Sequence, residues 1–259
     1  VDLPIEERGT IRVAHAGAVD ANNSEAMRYY LQRALDGNET DPVEMIDLLG
    51  AGGVAVPAPA GVRLVFVTES IPESLAKSLE TVLQQNGVVV LALESVDMAG
   101  SVKNLLPSEL SIAEADVKDY AMLGQIDFSS SLFSIFSDAR FSDFSSIRFK
   151  KYRNLTWDEP QPTMVRILAR FDSGSPAVLE YSHPAGGRIV ILATGWHPDD
   201  SQWALSTRFP PMIQRLVETA NPRRSGHHLL EVGRRISPGE MIGEAAWTLI
   251  RPGGEPYIP

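Results

Sequence analysis

Strands that are apolar on both faces constrain this fold more than any other feature of the sequence, the clearest being VVVLALES at 88–95. A strand with one solvent-exposed face alternates apolar and polar residues, and this strand does not alternate. The first four strand candidates lie at 10–18, 43–49, 62–69 and 88–95, with helix-like apolar spacing at 22–37 and 71–87. Such strands, separated by helices, predict a parallel sheet covered on both faces. We therefore expect the first 95 residues to form a doubly wound α/β unit.

The pattern changes after this unit. Residues 96–188 are rich in Ser and Phe and contain strand-like pieces with hairpin-like turns at 173–175 and 183–187. They are predicted to form a β-rich insertion. The strand GGRIVILATG then returns to the sheet, and 209–220 is predicted to form a closing helix with proline in its first turn.

The chain is expected to hold two domains, joined by the linker NPRRSG at 221–226. Residues 1–222 form the predicted α/β domain, and 223–259 read as the start of a C-terminal β module. Because the chain begins at Val1 rather than Met and stops within an apparent domain, we expect it to be a fragment of a longer protein.

Composition excludes several classes of function. The 259 residues include no cysteine, which removes disulfides, thiolate metal sites and thiol nucleophiles. The formal net charge of −10 argues against a nucleic-acid partner. No apolar run approaches the roughly 20 residues that cross a bilayer. The five histidines have no recognisable ligand spacing, so neither a metal nor a cofactor is predicted.

Candidate chemistry lies at two strand ends. In ILATGWHPDDSQW, at 191–203, an apolar strand leads to His197, followed by Asp199 and Asp200. The fourth strand ends at Glu94 and Ser95. In α/β sheets, catalytic and binding groups collect at the carboxyl ends of strands, so these two ends are the candidate site.

The order of strands and helices, with a late strand that ends in His-Pro-acid, resembles the class I glutamine amidotransferases. The resemblance implies a flavodoxin-like fold, with His197 and Asp199 in the positions of the catalytic His and acid. The nucleophilic Cys of that family follows the fourth strand on a glycine-flanked elbow. Here ALESV places Glu94 or Ser95 at that position, without glycine. Glutaminase activity is not supported, because a chain without Cys cannot form the thioester.

A narrower resemblance covers about residues 10–222. The segment GGRIVILATGWHPDDSQWALSTRFPPMI looks like bacterial membrane-anchored proteins of the aerotolerance, or Bat-type, group, and FSIFSDARFSDFSSIRFKKYRNL and VRILARFDSGSPAVLEY point the same way. The resemblance implies paired transmembrane helices and a von Willebrand A-like region outside this chain. It also implies a place on the periplasmic face of the cell envelope. The implied partners are other domains of the same chain or envelope proteins.

Two hypotheses for the strand ends come from different classes. In the first, the chain is a non-catalytic scaffold or interaction domain, and His197 and Asp199 tie down the strand-to-helix turn by hydrogen bonds. In the second, it is a cryptic serine hydrolase with Ser95 as nucleophile, His197 as base and Asp199 as the orienting acid. The hydrolase requires Ser95 within hydrogen-bond reach of His197. The scaffold predicts strand ends plugged by the 96–188 segment.

A third hypothesis is a small-ligand binding module that uses Gly17, Glu69, Glu94 and His197 at the strand ends. Glu94 in the elbow position is also a candidate for a buried salt bridge with His197, which would replace a Cys–His pair with an inert one. The three hypotheses share the fold, so only the site geometry separates them.

The basic stretch RFKKYR at 148–153 is predicted to be a solvated strand rather than a nucleic-acid contact. Alternation places its side chains on two faces: Arg148, Lys150 and Tyr152 on one, and Phe149, Lys151 and Arg153 on the other.

Overall fold

The computed structural model describes residues 10–17, 23, 26–36, 42–50, 54–106, 110–157 and 162–221, and the backbone of 249–250 and 256–257. The chain divides into two compact units, Val1–Arg224 and Ser225–Pro259. This division lies close to the predicted boundary after residue 222.

The described strands are, in chain order, β1 (Ile11–Ala16), β2 (Val43–Asp47), β3 (Leu64–Val67), β4 (Val88–Ala92), β5 (Ser111–Glu114), β6 (Leu123–Ile126), β7 (Arg153–Thr156), β8 (Val165–Phe171), β9 (Pro176–Ser182), β10 (Arg188–Leu192), β11 (Leu249–Ile250) and β12 (Pro256–Tyr257). The described α-helices are α1 (Met27–Asp36), α2 (Glu73–Gln84), α3 (Val96–Ser101) and α4 (Phe209–Ala220).

The parallel half of the main sheet has the order β2-β1-β3-β4-β10, and every neighbouring pair in it is parallel. This is the strand order of flavodoxin-like folds. All residues of β3 and β4 are buried, as expected for strands covered on both faces. The predicted parallel sheet of the first 95 residues is confirmed.

The helices cover the sheet through apolar stripes. In α1 and α4 the buried residues recur at helical spacing, and the two helices pack against each other. Helix α1 connects β1 to β2, and α2 connects β3 to β4, which is the opposite direction along the sheet. Because such crossover connections are right-handed, the two helices lie on opposite faces of the sheet. The closing helix α4 matches its predicted bounds. No helix within the described residues is long and apolar enough to cross a bilayer.

The strands within the predicted β-rich insertion take part in two different sheets. Strands β9, β8 and β6 continue the main sheet beyond β10, all in antiparallel pairs. Of the described strands in 96–188, β5 and β7 pair with each other instead. The turns at 173–175 and 183–187 join β8 to β9 and β9 to β10, as predicted. Apolar patterning predicts that a segment is a strand but not which sheet it joins.

Aromatic packing holds the segment between β6 and β7 against the end of the sheet. The buried Phe149 ring makes edge contacts with Phe171 and with Trp203. The backbone of Phe149 also bridges Ser201, in the loop after β10. Consequently the basic stretch 148–153 runs beside the loop that carries His197.

The second compact unit contains the antiparallel pair β11–β12, in which Leu249 lies opposite Tyr257. The remainder of the predicted β module, residues 223–248, 251–255 and 258–259, lies outside the described residues.

Candidate functional site at the strand ends

Most of the candidate site residues lie where three neighbouring strands end. Glu69 follows β3, Glu94 and Ser95 follow β4, and His197 follows β10. Because these strands are adjacent and parallel, their carboxyl ends share one edge of the sheet. The charges of Glu69, His197 and Asp200 all act on the Glu94 carboxyl group, so the fold does bring these side chains together.

Ser95 acts as the N-cap of α3. Its Oγ accepts a hydrogen bond from the backbone N–H of Met98 at 3.1 Å, and its backbone is extended, with φ −148° and ψ 163°. This arrangement is usual for a capping serine. A nucleophile elbow needs a sharp, strained turn instead, which this backbone does not have.

His197 has the wrong tautomer for a triad base. The backbone N–H of Asp199 donates to His197 Nδ1 at 3.1 Å, so Nδ1 is an acceptor and the neutral ring carries its proton on Nε2. A triad needs the proton on Nδ1, facing the acid, and a free lone pair on Nε2 facing the serine. The Asp199 side chain is 78% exposed, with its Oδ2 3.8 Å from Nδ1. Ser95, His197 and Asp199 are therefore not arranged as a catalytic triad.

Asp200, rather than Asp199, is the buried acid of this turn. Only 6% of its side chain is exposed, and its carboxylate lies 3.5 Å from Lys151 Nζ and 3.7 Å from Arg153 Nη1. No described residue forms a hydrogen bond with its Oδ2 atom. A Cβ at position 195 would lie 2.8 Å from Oδ2, so Gly195 is what lets the carboxylate approach the end of β10.

Arg153 closes the ends of both β4 and β10. Its backbone N–H donates to the Ala193 carbonyl at 2.6 Å, just after β10. Its side chain is 4% exposed and donates from Nη1 to the Leu93 carbonyl at 2.8 Å, just after β4. Its Nε donates to Glu114 Oε1 at 3.2 Å. We call Arg153, Asp200, Glu114 and Glu94 the Arg153 cluster.

The predicted alternation along 148–153 fails at Lys151 and Tyr152. The backbone N–H groups of Lys150 and Lys151 both donate to the Asp200 carbonyl, at 2.7 and 3.1 Å. Two consecutive residues directed at one acceptor shift the alternation by one position. As a result Lys150 and Lys151 are both exposed, whereas Tyr152 and Arg153 are both buried.

Glu94 is exposed, yet the protein around it disfavours its ionised form. Loss of hydration raises the pKa of Glu94, and the nearby charges of Asp200 and Glu69 raise it further. His197 and Arg153 act in the opposite direction but do not outweigh these effects. The Arg153 cluster and its neighbours thus retain negative charge that is incompletely compensated.

A second buried polar group, the His15 network, joins the ends of β1, β2 and β3. His15 is fully buried, with Nε2 2.9 Å from Thr68 Oγ1 and Nδ1 3.3 Å from Asp47 Oδ1. Asp47 also accepts two hydrogen bonds from Arg28, at 2.7 and 2.8 Å. Burial alone would raise the pKa of Asp47, but the bonds from His15 and Arg28 outweigh it and hold that pKa below its usual range.

Gly17 lies against this network. A Cβ at Gly17 would be 2.1 Å from Thr68 Oγ1 and 3.1 Å from the His15 ring. Close packing therefore accounts for glycine at this position without a ligand. Its predicted role in ligand binding stays a prediction.

Sequence reasoning missed the residues that organise this edge: Arg153, Asp200 and the His15 network. A signal existed for His15, since a polar residue that follows the apolar pair Val13 and Ala14 in the strand IRVAHA requires a partner when it is buried. Arg153 offered no comparable signal, because its acceptor Leu93 lies 60 residues away in the sequence. Among the described residues, no group of three or more His, Cys, Asp and Glu side chains is placed to hold a metal ion.

Comparisons with known proteins show the fold. No family model and no curated protein matches this chain. Among solved structures, the cytoplasmic protein STM3548 from Salmonella typhimurium has a TM-score of 0.57 at 7% identity, covering 81% of this chain and 98% of that one. A ThuA-like protein from Bacteroides uniformis has a TM-score of 0.53 at 9% identity, with coverages of 85% and 95%. A ThuA-like protein from Parabacteroides merdae has a TM-score of 0.51 at 15% identity, with coverages of 82% and 90%.

The two ThuA-like neighbours have the class I glutamine amidotransferase-like fold that the sequence resemblance implied, and this chain is similar to them in fold. All three solved structures are below 25% identity, so the likeness is one of fold alone. Function must be argued from the strand-end residues.

Proposed function

We propose that this chain is a non-catalytic, amidotransferase-like scaffold or interaction domain. The observation that carries the proposal is Arg153, which covers the ends of β4 and β10 from within the 96–188 segment. These are the positions at which the fold would present a nucleophile and its base. Because the buried Arg153 side chain fills this position, we infer that the strand ends contribute to packing and not to catalysis.

The side chains of the hydrolase hypothesis support the same proposal. The Ser95 hydroxyl accepts from Met98 N–H, and His197 Nδ1 accepts from Asp199 N–H. Each of these bonds occupies a lone pair in stabilising a turn. A serine hydrolase would use Ser95 and His197 for proton transfer to and from each other.

We further propose that the domain belongs to an envelope-anchored bacterial protein of the Bat type and acts on the periplasmic face. The sequence resemblance over residues 10–222 supports this assignment. Its partners would be other domains of the same chain or envelope proteins. Any attachment to the membrane would lie in segments outside this chain.

The test separates a scaffold from an enzyme within the full-length protein. One variant carries Ser95→Ala and His197→Ala together, and another lacks residues 1–222. Each variant and the wild-type protein are affinity-purified from the native cells. The amounts of envelope proteins that co-purify with them are then compared. A scaffold predicts normal recovery for the double variant and loss for the deletion. Ester or amide turnover by the wild-type domain that disappears in His197→Ala would overturn the proposal.

A further inference from the structure

Arg153 has the surroundings of a bound ligand. Its guanidinium belongs to β7, which pairs with β5 and not with the strands whose ends it covers. Three groups surround it: the Leu93 carbonyl after β4, Asp200 from the loop after β10, and Glu114, which lies opposite Arg153 on β5. The side chain is almost fully enclosed by these elements.

The surrounding groups select a planar cation with several N–H donors. A carbonyl oxygen and a carboxylate accept from two different nitrogens of the guanidinium, at 2.8 and 3.2 Å. A second carboxylate, that of Asp200, lies at 3.7 Å, and its Oδ2 atom has no hydrogen-bond partner within the part of the chain that the structure describes. A guanidinium fork matches acceptors spread in this way, whereas an ammonium group is a compact point charge.

The charge of the surrounding carboxylates also favours a cation at this place. Without Arg153, Asp200 would be buried near Glu94, whose carboxyl group is already disfavoured in its ionised form. Lys151 contributes only its exposed amine at 3.5 Å from Asp200. An empty pocket would therefore leave a buried carboxylate poorly compensated.

We propose that the ends of β4 and β10 form a guanidinium-binding pocket, which the chain occupies with its own Arg153. The ligand class is an alkylguanidinium, of which an arginine side chain is the protein form. Arg153 blocks the pocket in this chain, and its withdrawal would open it to a guanidinium from another molecule. The inference rests on the proposed function, because it treats this end of the sheet as a closed, non-catalytic site.

The test is chemical rescue of Arg153→Ala by ethylguanidinium, at concentrations far below those that denature proteins. We expect ethylguanidinium to raise the melting temperature of Arg153→Ala by about 3 °C and to leave wild type unchanged. Ethylammonium should raise it much less. The matched control is Arg166→Ala, which removes a half-exposed arginine paired with Asp127 and should show no response. A folded Arg153→Ala that responds equally to both cations, or to neither, would overturn the inference.

If Arg153→Ala does not fold alone, the readout becomes its refolding yield from urea. Refolding with ethylguanidinium but not with ethylammonium supports the pocket, and equal yields overturn it. Hydrolase activity of the wild-type domain would contradict the proposed function. If the domain shows no hydrolase activity and Arg153→Ala does not respond to ethylguanidinium, only this inference is contradicted.

Discussion

Two polar groups lie at the same edge of the sheet, and they differ in how completely their buried or half-buried carboxylates are hydrogen-bonded. In the His15 network, Asp47 accepts from both Arg28 and His15, and its pKa is held below the usual range. Among the described residues, Asp200 Oδ2 in the Arg153 cluster has no hydrogen-bond partner, and in the His15 network the atom without a partner belongs to the cation, Arg28 Nη1. In the Arg153 cluster the pKa of Glu94 is raised, by lost hydration first and then by neighbouring carboxylates.

The difference assigns different roles to the two regions. A network in which the carboxylate is fully paired fixes the geometry of the strands that carry it, here β1, β2 and β3. A cluster with uncompensated charge costs stability, which is typical of sites retained for binding or for a specific contact. We therefore expect the His15 network to stabilise the fold at this edge. We expect the Arg153 cluster to be the region whose stability a bound cation or partner would alter most.

Breaking the His15 network should have the largest effect. Asp47→Asn removes the charge that holds Arg28 and His15, leaving a buried guanidinium without its anion. We expect a loss of about 3 kcal/mol in the free energy of unfolding, measured by urea denaturation. Glu44→Gln on the same strand is the control, because its ion pair with Arg12 is half exposed and should contribute less than about 0.5 kcal/mol. Equal losses for the two variants would refute the contrast between network and surface.

Crowding the same network should have the next largest effect. Gly17→Ala would place a methyl group where Thr68 Oγ1 now lies, forcing the hydroxyl from His15. We expect a loss of about 2 kcal/mol in thermal or urea unfolding. Gly100→Ala, in α3 with no atom near its added methyl, should be neutral or stabilise by about 0.5 kcal/mol. A neutral Gly17→Ala would show that this edge is loosely packed.

At the other strand end, Ser95→Ala should have a smaller effect, that of a lost helix cap. Removing the hydroxyl leaves the Met98 N–H without its acceptor, at a cost of about 1 kcal/mol in the free energy of unfolding. Ser95→Thr retains a capping oxygen and should recover most of that stability. If Ser95→Ala instead abolished an ester hydrolysis measured in the wild type without destabilising the fold, Ser95 would be a nucleophile.

The smallest effect should be a stabilisation, from Glu94→Gln. Because the folded-state pKa of Glu94 is raised, ionisation of Glu94 weakens the fold as pH rises through that pKa. The variant should match wild type in acid and exceed it at neutral pH, by about 0.5 kcal/mol once solvent screening is allowed for. Asp47 has the opposite sign, since its lowered pKa gives stability that is lost as pH falls through the folded value. Urea denaturation across pH for both residues measures the contrast, and a less stable Glu94→Gln at neutral pH would contradict it.

The parallel half of the sheet was predictable because its strands are buried on both faces. Strands buried on both faces have apolar residues at every position, as in VVVLA and LVFV, and this pattern is visible in the sequence alone. The closing helix and the two hairpin turns were predictable for similarly local reasons, from proline and glycine placement.

The rest depended on contacts that no local pattern records. Strands β8 and β9 read as strands, but their place in the main sheet is set by pairing with β10. Arg153 looked solvated because arginine usually is. Its burial is tolerable because groups distant in the sequence surround it: the Leu93 carbonyl and Glu114 accept its hydrogen bonds, and the Asp200 carboxylate lies nearby. The His-Pro-acid motif correctly located a strand end, but hydrogen bonds within its turn decide what His197 can do.

The tautomer of His197 tests most directly whether this strand end is closed and non-catalytic. Nitrogen-15 NMR of the imidazole nitrogens in the folded domain reports which nitrogen carries the proton. We predict that the neutral form of the ring carries its proton on Nε2, with Nδ1 accepting a hydrogen bond from the Asp199 backbone N–H. A ring protonated on Nδ1, with Nε2 hydrogen-bonded to the Ser95 hydroxyl, would contradict the account and restore the hydrolase hypothesis.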